Sequence, residues 1–186
     1  LLDDAGVIAG IDHDGDIVVV LGGGADHRRA ADVDILDDVL ARGTLGHRRG
    51  EGAVFLGVPY ALPPVGVLRW RPPQALAPWK ETRDALNFGP DFPQASNPRL
   101  RTPRQDEDCL YLNIWTPTLD RAARLPVMVW VHGGGFTAGS GSDSRSDGAR
   151  LCQEGAVVVS LNYRSGLFGF LAHPALAHES PHGVSG

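Results

Sequence analysis

Among its 186 residues the chain has one lysine, one methionine and two cysteines. Lys80 stands against 16 arginines, and Gly, Ala, Pro and Asp are abundant, which points to a GC-rich coding sequence. Two cysteines allow one disulfide at most, and nothing in the sequence brings Cys109 near Cys152. Two buried, free thiols are the expectation, and these favour a reducing, cytoplasmic compartment. No apolar run approaches the roughly 18–20 residues of a membrane span, so no membrane span is expected. A net charge of −5 does not suggest a nucleic-acid partner. No basic stretch opens the chain, so no signal peptide is visible, although residue 1 is Leu and an upstream leader stays open.

The rest of the composition is that of an ordinary globular protein, with 42% hydrophobic and 21% charged residues. The length suffices for one domain with a sizeable core. Charge is uneven. Residues 1–40 hold ten Asp, two Arg and no Glu, whereas the remainder carries a net of +3. Such a shift marks a boundary, and we divide the chain into an acidic segment, 1–42, and a main unit, 43–186. In the acidic segment Ile17–Leu21 reads as a strand ended by Gly22-Gly23-Gly24, and 31–40 fits a short amphipathic helix. Glycines after a strand can cradle phosphate, but the G-x-G-x-x-G spacing is not met. An appended hairpin, a disordered acidic leader or a stretch foreign to the main unit remain as readings.

From Gly43 the texture changes. Residues 43–57 read as strand, turn, strand, and 58–106 as a long Pro-rich irregular wrap. Leu110–Trp115 alternates and reads as a strand. Val127–Val131 is short and apolar on both faces, as in a central strand covered on both sides. It runs into His132-Gly133-Gly134-Gly135. Asp147–Glu154 reads as a helix capped by Gly155, Ala156–Tyr163 as another strong strand, and 173–186 as loop. Strand, helix, strand implies a parallel crossover and an α/β sheet. With three core strands and one crossover helix, an apolar sheet edge is expected to lie uncovered and to make the chain poorly soluble.

Several blocks together resemble the type B carboxylesterase (cholinesterase-like) family of α/β-hydrolases. They are Phe55-Leu56-Gly57-Val58-Pro59-Tyr60-Ala61, Pro63-Pro64-Val65-Gly66 with Leu68-Arg69-Trp70, and Glu107-Asp108-Cys109-Leu110-Tyr111-Leu112-Asn113-Ile114. His132-Gly133-Gly134-Gly135-Phe136, Ser160-Leu161-Asn162-Tyr163-Arg164 and Phe168-Gly169-Phe170-Leu171 complete the run. The resemblance covers roughly residues 43–186 and implies an α/β-hydrolase fold, truncated after its first core strands.

It also implies site residues. Gly134 and Gly135 match the oxyanion-hole donors, whose backbone N–H groups stabilise charge on an ester oxygen. Losing one such donor typically costs about 2.7–4 kcal/mol of barrier. Arg69 and Glu107 match a structural ion pair. Cys109 matches a cysteine whose usual partner stands in a Cys-Pro-Gln context, but here that context is Phe92-Pro93-Gln94, so no disulfide is expected. Arg164 matches an arginine whose acidic partner lies beyond residue 186. The family's nucleophile sits in G-x-S-x-G, and no serine here has glycine on both sides at that spacing. The expectation is the N-terminal portion of a serine ester hydrolase acting on small carboxylic esters, with no cofactor and no metal, and inactive by itself. A non-catalytic relic or interaction module is the alternative. His132 is expected to pack locally rather than act as a base. His178 and His182 have helical metal-pair spacing, but Ser180-Pro181 between them argues for loop.

Overall fold

The computed structural model describes residues 7–11, 17–21, 44–77, 79 and 81–178. The helix expected at 31–40, the glycines at 22–24 and His182 lie outside them. The described strands are β1 (Val7–Ile11), β2 (Ile17–Leu21), β3 (Thr44–Leu45), β4 (His47–Arg49), β5 (Gly52–Pro59), β6 (Arg83–Asp84), β7 (Tyr111–Thr116), β8 (Val127–Val131) and β9 (Val157–Leu161). Seven form one mixed sheet in the order β1-β2-β8-β9-β7-β5-β4, and β3 pairs with β6 apart from it. Within the large sheet β8 and β9 run parallel and the other pairs are antiparallel.

Strand alternation distributes the core over two faces. Phe55, Ile114, Val157 and Val159 gather on one, with Val127 and Val129 packed against them. Trp115, Val158 and Cys152 gather on the other, with Val54, Leu56 and Phe88 alongside. The ladder between β5 and β7 shifts register between Phe55 and Val58. Gly57 makes this bulge feasible. Its φ is +68°, and an added Cβ would stand 2.5 Å from the Asn87 carbonyl oxygen. Its N–H instead donates to Asn113 Oδ1 at 2.9 Å.

Three expectations need correction. The helix expected over 147–154 is only α1, Ala149–Cys152. Asp147 stays outside it and accepts from the Ala149 N–H, while Gly155, at φ +90°, ends the segment. The tail after His173 is not all loop. Besides α2 (Leu167–Phe170) there is α3 (Pro174–Ala177), which begins with proline and has its first turn capped by His173 Nδ1. Most consequentially, the sheet has seven strands rather than three, and its end on this side is β1, not β8. All five residues of β8 pair with β2, from Ile17 opposite Val131 to Leu21 opposite Val127. The apolar pattern of β8 reads as burial on both faces, yet each of its residues is only half-buried. The reason is local. The crossover helix α1 packs over Trp115 and Val158 and therefore covers β7 and β9 rather than β8.

Candidate active site

Beyond Val131 the chain leaves the sheet through His132 and turns at three glycines. Gly134, Gly135 and Phe136 all have positive φ, at +121°, +59° and +61°. A side chain at Gly134 would overlap the Ala138 carbonyl, and one at Gly139 would overlap the His132 ring. Glycine is thus required at both positions by close approach as well as by φ. The Gly134 carbonyl accepts from the Thr137 and Ala138 N–H groups, both at 3.1 Å, and this closes the turn. Gly134 and Gly135 are exposed, and their own N–H groups donate to no acceptor among the described residues. Backbone N–H groups on adjacent exposed residues, left without a described acceptor, are of the kind that can stabilise a negatively charged oxygen.

His132 is buried. Its ring stacks on Tyr163 at 4.4 Å between centroids, with Phe92 on the ring at 6.2 Å, and Nδ1 lies 2.9 Å from the Gly133 carbonyl. The Tyr163 hydroxyl donates to the His132 carbonyl at 2.9 Å, so the end of β9 holds the end of β8. Phe136 accepts from the Gly166 N–H at 2.6 Å and lays its ring on Phe170 at 4.5 Å, both rings being about half exposed. Left-handed backbone at a bulky residue is unusual and costs on the order of 1–3 kcal/mol.

Behind the turn lies a polar cluster that the sequence analysis did not single out. Asp91, fully buried, accepts from the hydroxyls of Ser140 and Ser142 and from Asn162 Nδ2 at 3.2 Å. Burial pushes its carboxyl above the ordinary range, these hydrogen bonds pull it partly back, and the Asp143 charge pushes it up again. Gln94 pairs with the Gly139 backbone. The crevice bounded by Trp130, His132, Gly139 and Ser146 has a volume of about 10 Å³, room for one water at most.

Arg69 and Glu107, expected as a pair, meet in a bidentate contact. Nε reaches Oε2 at 2.6 Å and Nη2 reaches Oε1 at 2.5 Å. The hydrogen bond to Glu107 raises the Arg69 pKa. The guanidinium also lies 5.6 Å from the Trp70 ring and 5.8 Å from the Phe168 ring. Cys109 and Cys152 are free and buried. Burial, with help from the Asp108 charge, pushes the Cys109 thiol up to about 12, so it is neutral and a poor nucleophile near pH 7. Arg164 is buried. Nη1 donates to the Arg71 carbonyl at 2.9 Å, and Nη2 has no partner among the described residues. No group of three or more His, Cys, Asp or Glu able to hold a metal occurs among the described residues, nor does a helix long and apolar enough to cross a membrane.

Comparison with known proteins places this geometry. Residues 41–180 match the carboxylesterase family. The fumonisin B1 esterase of Sphingopyxis macrogoltabida is 55% identical over 141 residues, which cover 74% of this chain and 26% of that protein. The phenmedipham hydrolase of Pseudarthrobacter oxydans is 50% identical over 127 residues, covering 64% and 26%. A carboxylesterase structure from Geobacillus stearothermophilus superimposes with a TM-score of 0.62 at 39% identity, over 69% of this chain and 26% of that one. The chain thus spans about a quarter of the length of these relatives. The mixed sheet with its strand–glycine turn is part of an α/β-hydrolase fold, and the chain belongs to the carboxylesterase family of hydrolases.

Proposed function

We propose that residues 43–186 form the N-terminal, oxyanion-binding portion of a serine-dependent carboxylic-ester hydrolase, to which the acidic segment 1–42 is joined. The observation that carries this reading is that Gly134 and Gly135, exposed and at positive φ just beyond β8, have N–H groups with no acceptor among the described residues. Attack on an ester carbonyl places charge on its oxygen. Dipoles already aimed at that oxygen stabilise it without reorganising. A nucleophilic serine, a general base and an orienting acid complete the chemistry through a covalent acyl-enzyme. In this reading all three come from outside the 186 residues, because no G-x-S-x-G occurs within them.

The substrate is a small carboxylic ester, in keeping with the esterase and hydrolase relatives. No cofactor or metal takes part. The free, buried thiols support a reducing, cytoplasmic location. A p-nitrophenyl acetate assay on the purified 186-residue chain tests the reading. Hydrolysis at the rate of buffer alone is expected. Turnover that a phosphonate blocks stoichiometrically overturns the assignment of the nucleophile to residues elsewhere.

The missing elbow also favours a second reading, a non-catalytic relic or interaction module. A G-x-S-x-G segment in the same reading frame separates the two. Its presence supports the enzyme, and its absence supports the module.

A further inference from the structure

The glycine turn leaves the sheet at β8 and is next fastened at Gly139 and Gly141, by side chains from distant parts of the chain. Gln94 holds Gly139 from both sides. The Gly139 N–H donates to Oε1 at 3.0 Å, and Nε2 donates to the Gly139 carbonyl at 2.8 Å. A side-chain amide here does what a neighbouring strand does in a sheet. Gly141 is held as tightly. Its N–H donates to Asn162 Oδ1 at 2.7 Å, and its carbonyl accepts from Ser160 Oγ at 2.8 Å and Asn113 Nδ2 at 3.3 Å.

Asn162 is itself aimed. Its Nδ2 donates to the Pro90 carbonyl at 3.1 Å and to Asp91 Oδ1 at 3.2 Å, which leaves Oδ1 turned toward Gly141. Asp91 also takes the Ser140 hydroxyl, from the residue between the two fastened glycines. A carboxylate fully out of water is costly unless donors surround it, and here every donor belongs to the turn's distal anchor or to the residue that aims it. The segment 134–138 between β8 and this anchor has one described backbone bond to the rest of the chain, from the Gly166 N–H to the Phe136 carbonyl. Its orientation is therefore set by β8, by the Phe136 contacts and by where Gly139 and Gly141 are held.

We propose that Gln94 and Asp91 are positioning residues that act through Gly139 and through the Ser140–Asn162 pair to set the direction of the Gly134 and Gly135 N–H groups. The functional meaning rests on the reading of those groups as oxyanion donors, but the anchoring can be tested without turnover.

The experiment is amide NMR on the ¹⁵N-labelled 186-residue chain and its Gln94→Ala, Asp91→Ala and Asp91→Asn variants. Gln94→Ala is expected to speed exchange of the Thr137, Ala138 and Gly139 amides at least about tenfold, as a local opening does, while the β5 and β7 amides hold their rates. The Gly134 and Gly135 signals should move although Gln94 touches neither. Asp91→Ala should give the same signature. Asp91→Asn keeps an acceptor for Ser140 and Asn162 and should restore the original spectrum.

Unmoved Gly134 and Gly135 signals with unchanged exchange at 137–139 in Gln94→Ala overturn the proposal. So does a uniform acceleration that includes β5 and β7, which would make these residues mere contributors to stability. If Asp91→Ala does not fold, Gln94→Ala and Asp91→Asn decide between these outcomes. A failure of the esterase reading appears as the absence of a G-x-S-x-G segment in the same reading frame, and leaves this spectrum as expected.

Discussion

Asp91 shows how a single residue ties the anchor of the turn to pH. Its folded carboxyl titrates above the ordinary value near 4, so the folded state binds the proton more tightly than the unfolded chain does. The associated stability is fully present below about pH 4 and is lost as pH rises through the shifted value. Asp91→Asn does not titrate. The melting temperature of the chain should therefore fall relative to that of Asp91→Asn as pH rises above about 4, and parallel pH–melting curves for the two would remove this account. Residues of this kind were not legible beforehand. Gly134 and Gly135 were singled out because the His132–Phe136 block after an apolar strand matches the family's oxyanion loop. Asp91 and Gln94 meet partners 45 to 71 positions away, and no local pattern links them. Nor does Asp91 belong to any of the blocks that carry the family resemblance.

At the scale of elements, the sequence located strands better than their surroundings. Ile17–Leu21 and Val127–Val131 have the boundaries that their β-branched runs imply, and β9 sits inside the expected stretch. What such runs do not specify is the neighbour. Pairing between β2 and β8 joins a segment outside the family match to the strand that leads into the glycine turn. Without it β8 would present a five-residue apolar edge with unpaired backbone groups. Removing residues 1–22 is therefore expected to raise self-association, read as a concentration-dependent mass increase by size exclusion with light scattering. A truncated chain with the mass of the intact one would show that the hairpin protects nothing. The helix over 147–154 was overread for a different reason. Gly148 lies so close to Trp115 and Val158 that an added Cβ would stand 2.8 Å from each, so the chain must settle onto the sheet before α1 can begin.

Among the residues whose burial is described, β7 and β9 are packed more tightly than β8. Ile114 is completely buried between β5 and β9, whereas Val129 on β8 is only half-buried. Ile114→Ala should cost about 2–5 kcal/mol in urea unfolding, with Val129→Ala costing distinctly less. Equal losses would mean that the sheet is covered evenly. The α/β class and the parallel crossover could be read from the order of apolar runs. The strand, turn, strand pattern at 43–57 also implies the β4–β5 ladder, whereas the antiparallel β2–β8, β5–β7 and β7–β9 ladders could not be read, because period and composition do not encode which distant strands pair or in which direction.

The hairpin on β8 also has a consequence in time. The antiparallel partners β1 and β2 are close in sequence, and pairings of this kind form in about 1–10 μs. The parallel pair β8–β9 joins residues about thirty positions apart, but β2 and β8 are separated by more than a hundred. Closing that longer loop costs more chain entropy before any ladder bond forms in return. The sheet should therefore assemble from β9 outward. The hairpin, although it comes first in the chain, would dock last, and β8 would spend part of every refolding with one side bare.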